Sequence, residues 1–416
     1  MLRRILCLLV LMASPALAAR EGPLTLEEAV RRAMDRGPAI AVSRARQDTA
    51  SALVNAKPAL PNPELEVEAE AFGLDRDWTR PEETRISVSQ TFPLGRRLER
   101  QADMDLAALG VATREAEGTA ASVALQAAGA FVRAEAAQER AALARDALAL
   151  AEQTSALVAR RVAAGSIPEA DTSRSDVELA RARLDLETAA GEELETVAAL
   201  CATWGGWDCD FEIAATPVRF PEKAPEMPDI RTASASHPGV RILREEAALA
   251  RSSVSLEESL AVPDVTVAAG HVGFGGYAES ALLLSVSIPI PLFDQNRRAV
   301  DESRAEVRRA HAAVNATVAQ IESALRVAHL RLAAQWSRCR QVRDVLVPAA
   351  EESHRRVTEG FELGRYSTLD ILESARALLA VRREKLEAFE QYDVLAVRLA
   401  YLHGTLVPTT QENVHE

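Results

Sequence analysis

Glu64, Glu66, Glu68 and Glu70 place four carboxylates at every second position, alternating with Leu65, Val67, Ala69 and Ala71. On an extended strand that period puts all four acids on one face, where they either attract cations along a wall or keep the wall hydrated. Asp370 and Glu373 are three residues apart and share one face of a helix, and Asp171 occupies the matching place in an earlier turn. An acid near a helix start also suits the helix dipole. Cys201 and Cys209 flank Ala-Thr-Trp-Gly-Gly-Trp-Asp. The Gly-Gly pair can turn the chain back so that a disulfide forms; two unpaired small apolar residues are the alternative. The seven histidines show none of the paired spacings with Cys or carboxylates that build a zinc site. No Ser-His-Asp spacing, phosphate-binding loop or dinucleotide fingerprint occurs, so no catalytic residue, metal ligand or cofactor is expected. The chemistry on offer is electrostatic, made of fixed charges along a surface.

The elements that must hold these charges recur with a period near 200 residues. Gly37-Pro38 matches His237-Pro238, and Asn62-Pro63-Glu64-Leu65 matches Val262-Pro263-Asp264-Val265. Ile86-Ser87-Val88-Ser89, running into Phe92-Pro93-Leu94, matches Leu284-Ser285-Val286-Ser287, running into Ile290-Pro291-Leu292. Gly165 to Asp171 matches Gly364 to Asp370, and Gly205 matches Gly404. Within each unit the hydrophobic period changes. Residues 25–57 have helical spacing, opening on a Thr25/Glu28 capping box. Strand pairs with period two follow at 62–92 and 263–291, with Leu282, Leu284, Val286, Ile288 and Ile290 on one face opposite Ser285 and Ser287. Long stretches free of Gly/Pro clusters, 96–164 and 296–361, predict helices on the order of 100 Å. Return helices start near Pro168 and Thr368, and Pro348 predicts a kink in the second long helix only.

The chain has 416 residues, 48% of them hydrophobic and only 4% aromatic, which suits close-packed Ala-rich helices. Its net charge of −13, with lysine only at 57, 223 and 385, excludes a nucleic-acid partner. Arg3-Arg4, the apolar run Ile5–Met12 and the small-residue site Ala16-Leu17-Ala18 predict a signal peptide over 1–18. The divisions are then a first repeat at 19–203, a connector at 204–228, a second repeat at 229–405 and a tail at 406–416. No later stretch offers the roughly 20 apolar residues of a spanning helix.

Two strand pairs per chain have the length of tilted membrane strands, yet four strands cannot close a barrel. Bare edges are not tolerated in lipid, so closure requires several copies, giving 8, 12 or 16 strands. Phe92 and Phe293 at one end, and Phe72, Trp78, Phe274 and Tyr277 at the other, read as interfacial girdles. A soluble sheet packed on helices is the alternative.

The duplicated strand-pair and long-helix units, the Ser-alternating strand ending in Pro-Leu and the Gly-to-Asp turn resemble the TolC family of outer-membrane efflux ducts. Pro289-Ile290-Pro291-Leu292-Phe293-Asp294-Gln295-Asn296 and Leu60-Pro61-Asn62-Pro63-Glu64-Leu65 are similar to the cobalt-zinc-cadmium branch that serves heavy-metal resistance pumps. The resemblance implies a mainly α protein with transmembrane β structure. It implies a homotrimer whose 12-stranded barrel continues as a 12-helix periplasmic tunnel. The implied partners are a periplasmic adaptor and an inner-membrane proton-driven exporter of the RND type. It further implies a periplasmic aperture at the two Gly-to-Asp turns, where Asp370 and Glu373 match acidic rings and Tyr366 a tie between helices. Arg365 is displaced by one residue from the Arg often found as that tie. Rival readings are a duct for organic drugs or type I protein secretion, and a periplasmic adaptor, which would need neither two strand pairs nor a whole-chain duplication.

Overall fold

The computed structural model describes residues 23–70, 83–207, 209, 211–214, 220–227, 229–274 and 280–405. The signal peptide, the tail and the aromatic residues Phe72, Trp78 and Tyr277 lie outside the described residues. The elements run α1 (Leu26–Arg36), α2 (Pro38–Ala56), β1 (Glu64–Glu70), β2 (Glu83–Phe92), α3 (Arg97–Ala163) and α4 (Ala170–Ala202). The second half repeats the order with α5 (Ile230–Ser236), α6 (Pro238–Leu260), β3 (Val265–Phe274), β4 (Ser280–Ser287), α7 (Arg297–Gln341), α8 (Val347–Glu362) and α9 (Thr368–His403). No described helix is long and apolar enough to cross a membrane.

The chain divides into two compact units, each drawing on both halves of the sequence. One unit comprises Gly37–Leu125, Pro225–Leu332 and Leu395–Glu416. It carries an antiparallel sheet of order β1-β2-β3-β4. The register lines up Leu65, Val88, Ala269 and Leu284 in one row, and Val67, Ile86, His271 and Leu282 in the next row on that face. Gly270 permits the closest approach of β2 and β3, because a Cβ there would lie 2.6 Å from the Ile86 carbonyl oxygen. Among the helices of this unit, Ala247, Ala250 and Ala310 form one buried cluster and Ala233, Leu325, Ala328 and Leu402 another. His237 opens α6 by accepting the Gly239 N–H on Nδ1 at 3.1 Å, one residue before Pro238.

The other unit comprises Met1–Arg36, Gln126–Ala224 and Ala333–Val394. Its helices approach closely because α3 presents Ala127, Ala128, Ala134, Ala137 and Ala141, all fully buried. The connector is pinned by Phe220, whose ring stacks on Trp336 at 6.0 Å and meets Phe389 and Tyr392, while Trp336 Nε1 donates to the Pro221 carbonyl at 2.8 Å. Leu24 and Ile213 form a parallel bridge. Cys201 and Cys209 are joined as a disulfide, their Cα atoms 6.1 Å apart. Cys339 is buried, donates to the Ala388 carbonyl at 3.1 Å, and its thiol is pushed up to about 11 by burial.

At Pro348 the structure has a π turn over Val342–Leu346 in place of a simple proline break. Pro348 sits in the first turn of α8, where its missing N–H costs least, and the wider turn before it relieves the clash of the ring with the preceding carbonyls. Residues 25–57 form two helices, since Gly37-Pro38 ends α1 and starts α2.

Candidate functional site

The sheet keeps its charges on one face. Glu64, Glu66, Glu68 and Glu70 stand opposite Ser89, Ser87, Arg85 and Glu83 on β2, so five carboxylates meet one guanidinium. Arg85 spans two of them, donating to Glu68 at 2.7 Å and Glu83 at 2.8 Å. Further along, Thr91 and Thr266 share a 2.9 Å hydrogen bond on that face. The opposite face is apolar and exposed: Leu65, Val67, Ile86, Val88, Leu282, Leu284 and Val286 all show large accessible side chains. His271 is its one titratable residue among those described. Phe92, Phe274 and Phe293 are exposed; Phe92 lies on the apolar face, whereas Phe274 stands in the row of Glu70 and Glu83 on the acidic face, so the register does not place it in a lipid-facing girdle. Such a sheet has a hydrated acidic side and a side suited to lipid.

The second cluster lies at the two helix turns. The long helix ends in the same cap in both halves: Gly165 N–H donates to Val162 and Ser166 N–H to Arg161, while Gly364 N–H donates to Phe361 and Arg365 N–H to Gly360. Gly165 and Gly364 have φ of 69° and 76°, the left-handed backbone that this cap requires and that glycine adopts without strain. Arg161 reaches across to the other turn, donating to the Phe361 carbonyl at 2.8 Å with its guanidinium 4.6 Å above the Phe361 ring. That ring is fully buried against Val158 and Ile371.

The predicted acids have different surroundings. Asp171 is buried and accepts from Thr368 Oγ1 at 2.8 Å and from Arg174 at 3.1 Å, tying the start of α4 to the start of α9. Asp370 is exposed and closes a capping box, accepting the Ser367 N–H at 2.8 Å and hydroxyl at 2.7 Å while Ser367 Oγ accepts the Asp370 N–H. Those bonds from the Ser367 side chain and backbone hold its carboxyl below the usual range. Glu373 is exposed one turn on. The Tyr366 ring lies over buried Gly360, where a Cβ would sit 2.4 Å from it, and Arg365 extends from the turn, exposed.

A ladder of acid–base ties continues from Asp171. Glu178 accepts from Arg376 at 3.0 Å, and Asp185 accepts from Arg383 at 2.5 Å. Arg376 is the main reason the Glu178 carboxyl is held low. One step further Arg140 on α3 spans Glu390 at 2.6 Å and Glu192 at 3.6 Å. Sequence reading missed this ladder, although Asp171, Glu178, Asp185 and Glu192 recur every seven residues. That heptad spacing is the signal that finds one stripe along α4.

A four-stranded sheet with one face apolar and the other acidic along β1, combined with duplicated long helix hairpins, defines a mixed class of protein with β structure suited to lipid and α structure suited to water. Residues 29–206 and 230–405 match the Outer membrane efflux protein family, and the chain belongs to it. Membership makes it an outer-membrane efflux protein. The cobalt-zinc-cadmium resistance protein CzcC of Cupriavidus metallidurans is 29% identical over 229 residues, a stretch covering 54% of this chain and 54% of that relative. The match thus spans about half the length of the curated relative. Among solved structures, the transmembrane channel CusC superposes with a TM-score of 0.77 at 14% identity, covering 93% of this chain and 95% of CusC. The outer membrane protein VceC of Vibrio cholerae gives 0.74 at 18% identity, covering 91% and 96%. The Campylobacter jejuni CmeC outer membrane channel gives 0.75 at 12% identity, covering 93% and 87%.

Proposed function

We propose that the protein is the exit duct of a tripartite RND-type efflux system, a homotrimer that passively conducts heavy-metal cations delivered by an inner-membrane pump through a periplasmic adaptor. The observation that carries the cation preference is the acidic sheet face, where among the described residues of β1 and β2 within one chain Glu64, Glu66, Glu68, Glu70 and Glu83 face Arg85 alone. In a closed barrel it lines the lumen and favours cations over anions. The relative of 29% identity, itself a cobalt-zinc-cadmium resistance protein, supports the cargo class.

The helix turns act as the periplasmic aperture. Asp370 and Glu373 project as carboxylate rings, and Tyr366, Arg365 and Asp171 hold the closed arrangement. Arg376 and Arg383 on the α9 side of the ladder reinforce it. In planar bilayers, Asp370→Ala with Glu373→Ala weakens block by multivalent cations, and Arg376→Ala with Arg383→Ala raises conductance. Unchanged block and conductance in both variants place the aperture elsewhere. A deletion strain is expected to become sensitive to zinc, cobalt or cadmium with unaltered tolerance of organic dyes; the reverse profile assigns an organic cargo.

A further inference from the structure

β1 and β4 are the outer strands of the sheet, and each leaves an unpaired edge beside exposed apolar side chains: Leu65 is 69% accessible, Val286 66% and Ile290 77%. The inner junction between β2 and β3 already contains the pattern that fits these edges. There β2 leaves through Phe92-Pro93-Leu94 beside a strand that enters through Pro263-Asp264-Val265, and Phe92 stands opposite Val265. The exit is repeated after β4 as Ile290-Pro291-Leu292, and the entry before β1 as Pro63-Glu64-Leu65. Backbone conformation marks the same equivalence, since Arg96 and Asn296 both have left-handed φ, 59° and 56°, immediately before α3 and α7. Arg297 is therefore the counterpart of Arg97, and Glu64 of Asp264.

The inner junction is locked at its base. Arg97 Nη1 lies 3.2 Å from Asp264 Oδ2, and the Leu94 N–H donates to Asp264 Oδ1 at 3.4 Å. Among the described residues the Arg297 and Glu64 side chains have no hydrogen bond or ion pair within their own chain. We propose that β4 of one copy pairs antiparallel with β1 of the next in the register Ile290 opposite Leu65, Ile288 opposite Val67 and Val286 opposite Ala69, with Arg297 bound to Glu64 of that next copy. The inference rests on the closed-oligomer reading above and adds the register of the seam and the charge pair that fixes it.

The register meets two independent demands. It sets Ser287 opposite Glu68 and Ser285 opposite Glu70, so the hydrated face runs unbroken from copy to copy while apolar residues meet on the other. Following the hydrogen-bond direction from Glu64 leads through Ser89, Ala268 and Ser285 and then to Glu70 of the next copy. That climb, repeated over three copies of four strands, tilts the strands by about 45° from the barrel axis, as membrane-spanning strands are tilted. A slip of two residues keeps the faces but separates Arg297 from Glu64 and the Pro-Leu exit from its matching entry.

Cysteine pairs in the full-length protein with Cys339→Ser test the seam. Ser287→Cys with Glu68→Cys on one face, and Val286→Cys with Ala69→Cys on the other, are expected to give reducible covalent oligomers on denaturing gels. The slipped pairs, Ser287→Cys with Glu66→Cys or with Glu70→Cys, are expected to give at most a tenth as much. Equal or better crosslinking by a slipped pair overturns the register, as does an absence of crosslinks in a protein whose native mass is trimeric. A monomeric native mass of the unsubstituted protein instead overturns the oligomer reading itself. Arg297→Glu and Glu64→Arg should each lower the temperature at which the oligomer dissociates in detergent, and the double exchange should restore it. Failure of the exchange to restore it overturns the charge pair.

Discussion

Asp393 shows how a single buried acid makes stability depend on pH. Burial pushes its carboxyl up to about 6, with Glu139 adding repulsion. Burial also raises Glu139 itself, with Lys385 opposing. The folded value of Asp393 lies above the ordinary 3.8, so its favourable contribution is complete below that pH and is lost as pH rises through 6. Asp393→Asn should therefore raise stability at pH 7.5 by about 2–3 kcal/mol and flatten the profile between about pH 4 and 6, as thermal unfolding in detergent will read. His237 runs the other way. Its Nδ1 must stay unprotonated to accept the Gly239 N–H, and burial lowers its pKa. Its contribution is present above the ordinary histidine value and is lost as pH falls through the lowered one. His237→Asn, which can cap the same helix, should remove the part of the acid sensitivity that this group carries.

Among the elements, β2 and β3 depend most tightly on one missing side chain. A Cβ at Gly270 would lie 2.6 Å from a backbone oxygen and 2.7 Å from Ser87 Cβ, neither of which can move without shifting a strand. Gly270→Ala is expected to cost about 1–3 kcal/mol and to reduce the folded, heat-modifiable fraction recovered from membranes. The strands themselves were legible in the sequence, because Glu64 to Glu70 and Leu284 to Ser287 alternate strictly, and an extended chain is the conformation that puts every second residue on one face; β4 nonetheless ends at Ser287, before the Ile288 and Ile290 that the pattern would have included. Helix starts and ends were legible for a similar reason, Gly165, Gly205, Gly364 and Gly404 being residues whose backbone freedom the caps require. The α4–α9 ladder was not, since local pattern says which residues share a stripe but not which helix lies against it. Sequence separated Asp370, with Glu373, from Asp171 only through the family resemblance; that Asp171 is the acid that meets Thr368 was not legible, because both follow a Gly turn and packing decides it.

For the whole molecule, the proposed acidic lumen makes a transport prediction. Glu66→Gln with Glu68→Gln should lower the cation-to-anion permeability ratio measured as a reversal potential across a salt gradient. The change should shrink as ionic strength rises, because fixed charges on a hydrated wall are screened over about 10 Å at 0.1 M salt. In the proposed aperture, charges in the ladder act mechanically instead. Exposed pairs such as Arg383 with Asp185 are each worth about 0.2–1 kcal/mol, so several are needed to hold a closed arrangement and none alone makes opening prohibitive.

The π turn before Pro348 has a consequence for how this chain tolerates length changes. A π turn holds one residue more than the α turn it replaces, so the helix downstream keeps its phase only because that extra residue is absorbed within Val342–Leu346. The segment is thus a built-in slack of one residue in an otherwise rigid rod. Deleting Val345, whose side chain is exposed, should convert the turn to regular helix and leave the faces of α7 and α8 in phase. Inserting one alanine at the midpoint of α3, which has no such slack, should rotate everything beyond it by about 100° and prevent folding. Comparing the yield of folded protein from these two variants measures whether the slack exists.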